Sequence, residues 1–234
     1  MLNFGDFDVF TFDCYGTLID WETGIFSALK PILARHGKSL PDAELLELYG
    51  DFEVQAERGE YQSYRDVLQS VVHHLGKRLA FTPTLDELRS LANSIPHWHP
   101  WPDTVASLKG LQSRYRLAII SNIDNDLFQL TRRHLQVNFD PVITAEQARC
   151  YKPSLEIFRL ALERLGVAPN RVLHIGQSIY HDVLPAQSLG LATVWVNRPS
   201  ARAGVGAVKR AEGKPDLEVS SLKKLAQLAQ LAEG

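Results

Sequence analysis

The sequence predicts an α/β fold: a parallel sheet wound with helices, with an all-helical block inserted after its first strand. Short runs of β-branched and aromatic residues alternate with helical spacings from residue 116 onward, the pattern of βαβ units. Between the first such run, Val9–Phe12, and the second, residues 20 to 98 show helical periodicity alone. The apolar runs also tend to end in polar groups, and open α/β sheets bind ligands at the carboxyl ends of their strands.

The first run, VFTF, carries no charge until Asp13. The Tyr15-Gly16-Thr17 turn follows, where glycine permits a backbone path that other residues resist. Helical spacing then begins. Residues 22–36 place Ile25, Leu29, Ile32 and Leu33 on one face, with Pro31 expected to bend the helix. Residues 41–58, 64–75 and 85–95 give three further helices, and the two prolines of HWHPWPD (97–103) close the block. A helix over 103–114, a strand over 116–122 and a helix over 124–135 come next. Then follow a short strand (141–144), a helix (154–165), a strand (171–176), a helix (180–189) and a strand (192–196). Residues 197–215 read as a long loop and 217–219 as an edge strand. The last helix, 220–233, turns Leu222, Leu225, Leu228 and Leu231 inward. The expected division is a core of 1–18 and 99–234 with a helical domain of 19–98.

Composition limits the function. The 234 residues are 45% hydrophobic and 22% charged, the balance of a soluble globular protein. A net charge of −2 draws the chain neither to nucleic acid nor to an acidic membrane. No apolar run approaches the ~20 residues of a membrane span. The start MLNFGDFD lacks the basic and apolar regions of a secretory signal, so a cytoplasmic location is expected. Two cysteines, Cys14 and Cys150, make no disulfide framework.

In a parallel sheet the strand ends converge. The first contributes Asp13, Tyr15 and Thr17, the second Ser121 and Asn122, and the strand over 171–176 contributes Gln177, Ser178 and Asp182. Lys152 opens the helix over 154–165. Each has an ordinary role when taken singly: Asp13 as a turn residue, Ser121-Asn122 as helix caps, Lys152 as a solvated surface lysine, His174 as a core histidine. His181, beside Asp182, fits either kind of role. Together they suit nucleophilic catalysis by an aspartate, with donors waiting for developing charge.

DCYGTL at 13–18, IISN at 119–122, YKPS at 151–154 and IGQSIYHDVLPAQSLGL at 175–191 resemble, in order, the motifs of the haloacid dehalogenase (HAD) superfamily. The resemblance implies a Rossmann-like core, a helical cap after the first motif, and an Asp13 nucleophile that forms a covalent ester. Phosphatase members carry a second aspartate where this chain has Tyr15, and usually an acid that helps hold magnesium where it has Gln177. Two expected carboxylates, Asp13 and Asp182, serve a hard dication poorly, so phosphatase activity is disfavoured.

The D-x-Y-G-T start is similar to the type II 2-haloacid dehalogenase branch, which works without metal or other cofactor. That resemblance implies an (S)-2-haloacid dehalogenase acting on a small 2-substituted carboxylic acid. Thr17 and Ser121 would position Asp13 or bind the substrate carboxylate, and Lys152 would hold Asp13 ionised. Asn122 would bind the departing halide, Asp182 would assist the hydrolytic water, and Tyr15 would line the pocket. Two departures stand out. The branch carries an arginine on an early cap helix, whereas this chain offers none there until Arg58, then Arg65. Ile179 replaces a water-positioning asparagine, leaving Gln177 or Ser178 to substitute. Family habit allows a homodimer, with Trp98 and Trp101 either at its interface or packed between cap and core. The alternatives are a phosphatase or hydrolase of another small activated substrate, and an inactive member that binds a metabolite or partner. Asp13, Lys152 and Asp182, all intact, argue against inactivity.

Overall fold

The computed structural model describes residues 2–202 and 206–231, the last by its backbone only. Six strands form one all-parallel sheet in the order β3-β2-β1-β4-β5-β6. They are β1 Val9–Phe12, β2 Arg116–Ser121, β3 Val142–Thr144, β4 Val172–Gly176, β5 Ala192–Val196 and β6 Leu217–Val219. β1 lies between β2 and β4, so every one of its residues is buried. A central parallel strand covered on both faces requires such a run. Phe10 and Phe12 face the larger core, where Phe10 stacks on Tyr115 with ring centroids 3.9 Å apart. Val9 faces the opposite layer with Ile120, Ile157 and Phe158. Thr11, the one polar residue in the strand, bonds His174 Nδ1 across the register at 2.9 Å. Because the chain runs outward from β1 in both directions, a crevice opens at the carboxyl ends of β1, β2 and β4.

Between β1 and β2 lie four helices: α1 Trp21–Arg35, α2 Asp42–Ala56, α3 Tyr64–Leu79 and α4 Leu85–Ser94. α1 continues through Pro31. The insert does not stand apart from the sheet, for Ile25, Leu45 and Leu68 belong to the same apolar cluster as Phe10 and Phe12. Trp98 lies flat against Gly24, where any β-carbon would sit 2.5 Å from the indole. The Asp124 carboxylate, before the core helix α6, accepts from the Tyr64 and Arg65 amides at 2.8 and 3.1 Å. It therefore caps α3 across a gap of some sixty residues. On the far side, the Ala207 carbonyl abuts Gly50 of α2.

The remaining helices are α5 Thr104–Gln112, α6 Asn125–Leu135, α7 Ala145–Ala148, α8 Leu155–Leu165, α9 Leu184–Ser188 and α10 Leu222–Leu231. The helix expected over 180–189 differs: a π-helical turn, Ile179–Val183, precedes α9. Pro185 has no N–H with which to extend a regular ladder backwards. Residues 203–205 of the long loop, residues 232–233 and the Leu231 side chain fall outside the described residues. Among the described residues no helix is long and apolar enough to cross a membrane.

Candidate active site

At the end of β1 the Asp13 amide bonds the Ile175 carbonyl of β4, and Thr17 Oγ1 donates to Asp13 Oδ2 at 2.7 Å. Gly16 between them adopts a φ of 91°, and a β-carbon there would lie 1.9 Å from Gln177 Oε1. Only glycine satisfies both conditions. Thr17 Oγ1 also accepts the Gln177 amide at 2.8 Å, tying the β1 and β4 loops together.

Lys152 is 2% exposed. Its ammonium donates three bonds: to Asp13 Oδ1 at 2.8 Å, Asp182 Oδ1 at 2.6 Å and the Ile120 carbonyl at 3.0 Å. All three N–H groups are thus used, the condition under which a buried cation is tolerable. Asn122 sets the lysine's backbone in place. Its Oδ1 accepts the Lys152 amide at 2.8 Å, while its Nδ2 donates to the Lys152 carbonyl and to Glu57 Oε1, each at 3.3 Å. The two carboxylates differ. Burial pushes Asp13 up against the pull of Lys152. At Asp182 burial is outweighed by Lys152 and His174, and the group is held well below the usual carboxylate range. The Ser178 amide bonds Asp182 Oδ2 at 3.0 Å, and His174 Nε2 lies 3.4 Å from Oδ1. Asp182 is consequently a fixed anion, whereas Asp13 is a desolvated and more basic one. The second condition favours attack on carbon.

The sequence-predicted residues Asp13, Tyr15, Ser121, Asn122, Lys152, Gln177, Ser178 and Asp182 all line one pocket, with Thr17 just behind Asp13. The Tyr15 hydroxyl is spent on Thr131 of α6 at 2.7 Å, which leaves its ring as wall. Ser121 Oγ, Gln177 Oε1 and His181 Nε2 are buried without a hydrogen-bond partner among the described residues. Burial, with Lys152 opposing protonation, pulls the His181 imidazole down to about 4. Arg58 is not brought in: it is exposed and lines a neighbouring groove with Arg149 and Tyr151. Arg65 pairs with Asp126 outside the pocket.

Sequence reasoning missed the wall supplied by α2 and α3. Glu53 and Glu57 line the pocket, and Glu53 Oε1 accepts from Tyr64 at 2.6 Å and Tyr49 at 3.0 Å. Burial, with Asp13 adding to it, pushes Glu53 up to about 7 against those two bonds. Burial and then Glu53 push Glu57 well above the carboxylate range. A signal was available: Leu45, Tyr49, Glu53 and Glu57 recur every four residues, so the acids continue the helix's buried stripe.

Comparison with known proteins places this arrangement. The chain is 25% identical to an (S)-2-haloacid dehalogenase of Pseudomonas fluorescens over 92% of each chain. It is 31% identical to a glyceraldehyde 3-phosphate phosphatase of Methanothermobacter thermautotrophicus over 56% of this chain; that match spans only 58% of the phosphatase. The fold is that of the L-2-haloacid dehalogenase of Xanthobacter autotrophicus, with a TM-score of 0.81 over 96% of this chain and 98% of the other, at 22% identity. The family model for haloacid dehalogenase-like hydrolases matches residues 7–190, from before the aspartate-bearing strand to beyond Asp182, and the chain belongs to that family.

Proposed function

We propose that this protein is a hydrolase that works without metal, in which Asp13 displaces a leaving group, halide first among them, from a small 2-substituted substrate. One Asp13 oxygen attacks the carbon bearing the halogen, and the carbon–halogen bond breaks as halide leaves with the bonding pair. This gives an aspartyl ester. Water, positioned beside the Asp182 carboxylate, then adds its hydroxyl to the ester carbonyl, and its other proton goes to the alkoxide oxygen as the acyl–oxygen bond breaks. The products are the alcohol and Asp13, now with one oxygen from water. The sum is R–X plus water giving R–OH, halide and a proton. Inversion at the carbon follows from a single attack at that centre.

The observation carrying this reading is the Lys152 ammonium, shared by Asp13 and Asp182 at 2.8 and 2.6 Å. It steadies the nucleophile with a fixed cation. The magnesium used by phosphatase members of the superfamily does not fit this donor set. Lys152 stands between the two carboxylates, Gln177 adds no charge, and among the described residues no group of three or more His, Cys, Asp or Glu side chains could hold a metal. The names of several relatives favour 2-haloalkanoic acids, the (S) enantiomers first, as substrates. In this reading the helical insert acts as the cap. The test is chloride release from 2-chloropropionate and its congeners in EDTA, with single-turnover hydrolysis in oxygen-18 water. Label entering Asp13 is expected; magnesium-dependent phosphate release with no label in Asp13 would overturn the assignment.

A further inference from the structure

We infer that the substrate carries a second oxyanion at its far end, held by Arg58 and Arg149 in the groove beside the pocket. The inference deepens the proposed function. It rests on that reading for the acid end that reacts at Asp13, and it narrows the substrates to 2-substituted acids with two anionic ends. The pocket has a volume of about 40 Å³ and the groove about 310 Å³. Glu57, Lys152 and His181 line both, so the two spaces meet at these side chains. The Lys152 ammonium is committed to Asp13, Asp182 and the Ile120 carbonyl. Burial and then Glu53 favour the protonated form of Glu57, and burial keeps the His181 imidazole neutral. An anion therefore meets no bare carboxylate at the junction.

The groove itself is built for an anion. The Arg149 guanidinium lies 4.3 Å from the Tyr61 ring centroid, and Tyr61 stacks on Tyr151 with centroids 5.4 Å apart. The Tyr151 hydroxyl donates to the Gln62 carbonyl at 2.8 Å, which fixes the base of the stack. Stacking holds the guanidinium plane and leaves its N–H edge for a bidentate oxyanion. Three acids also stand near Arg149, and each is taken elsewhere: Asp126 by Arg65, Asp124 by two amides of α3, and Glu146 by the Asn125 amide at 2.6 Å. Neither the Arg149 nor the Arg58 guanidinium has a hydrogen-bond or ion-pair partner among the described residues. Arg149 moreover closes α7 with a φ of 53°, a left-handed backbone that glycine or asparagine adopts at less cost. An arginine stands there against local preference, and what the position gains is its side chain.

The test is calorimetric titration of the full chain near pH 7 with dicarboxylates from succinate to suberate. Each is run beside its half-amide, which keeps length and shape and loses one charge. At the length that spans pocket and groove, the diacid is expected to bind about tenfold or more tightly than the half-amide, beyond the factor of about two given by its equivalent ends. The ω-phosphonate of that length is run beside it, and the tighter of the two names the far end. The double variant Arg58→Gln, Arg149→Asn is expected to bring diacid and half-amide to within about twofold. Both side chains are exposed and asparagine tolerates the backbone at 149, so the fold is kept. No length at which the wild type prefers the diacid, or a preference unchanged in the double variant, would each overturn the inference. The two readings fail separately. Label in Asp13 with no diacid preference removes the second anion alone, and an arginine-dependent diacid preference with no label in Asp13 removes the reaction alone.

Discussion

The pocket has two walls built on different principles. The sheet wall gathers Asp13, Lys152 and Asp182 from segments beyond the strand ends, held together by charge-assisted bonds of 2.6 to 2.8 Å, with Ser121 at the end of β2 beside them. The insert wall comes from one helix face, Tyr49-Glu53-Glu57, with Tyr64 from its neighbour. The first wall balances its charges internally around Lys152. The second carries two acids that, among the described residues, have no cation bonded to them and are held by hydroxyl and amide donors. The difference suggests that the chemistry is fixed on one side and substrate selection on the other.

The strongest challenge to that division is Asp13→Asn. The amide oxygen can still accept from Lys152 while the NH₂ donates to Thr17 Oγ1 in place of accepting from it, so the fold is expected to survive while turnover falls on the order of 10⁴-fold or more. A thermal melt beside a halide-release assay separates the two effects. Lys152→Met comes next. It leaves two buried carboxylates facing each other without a counter-ion, at a cost of about 3–5 kcal/mol in urea unfolding.

On the insert wall the expected effect is smaller and depends on pH. Glu53 rises from 4.5 to about 7 in the folded protein, so the folded state keeps a proton that the unfolded chain has released. Its contribution is complete below about pH 4.5 and is lost as pH rises through about 7. Relative to Glu53→Gln, the wild type should lose up to about 3 kcal/mol between pH 5 and pH 8. Paired urea titrations at the two values check this. A difference independent of pH would mean that Glu53 is ionised throughout. The smallest effect belongs to the seam between the walls: Asp124→Ala should cost about 1 kcal/mol by removing the acceptor of the first two α3 amides, with the Ser63 cap at Asp66 left in place. Hydrogen exchange at the Tyr64 and Arg65 amides should accelerate with it.

The sheet wall was legible in the sequence because strands of a parallel sheet announce themselves as apolar runs, and the residue after each run falls in the crevice. Asp13 and Ser121 follow from that alone, whereas Asp182 sits beyond the end of β4 in the following helical turn and was singled out with the help of the motif. Lys152 needed the motif resemblance as well, since a lysine before a proline reads as a surface group. The insert wall was not legible for a different reason. Residues 41–58 read as a helix, but nothing in its spacing alone assigns Glu53 and Glu57 to the face that meets the sheet. A helix face is ambiguous until its docking is known, and here the docking is set by contacts such as Gly24–Trp98 and Gly50–Ala207. The π-helical turn at Ile179–Val183 escaped for a local reason, because its Ser178 cap and Pro185 look like the start of an ordinary helix.

Glu57 is also the residue that caps the carboxyl end of α2, its amide bonding back to the Glu53 carbonyl at 2.9 Å. The carboxyl end of a helix carries a partial negative charge of about half an electron from its aligned peptide units. That polarity needs no ionisation. Burial already favours the protonated forms of the two side chains, yet the backbone beneath them continues to present a negative pole to any occupant of the pocket.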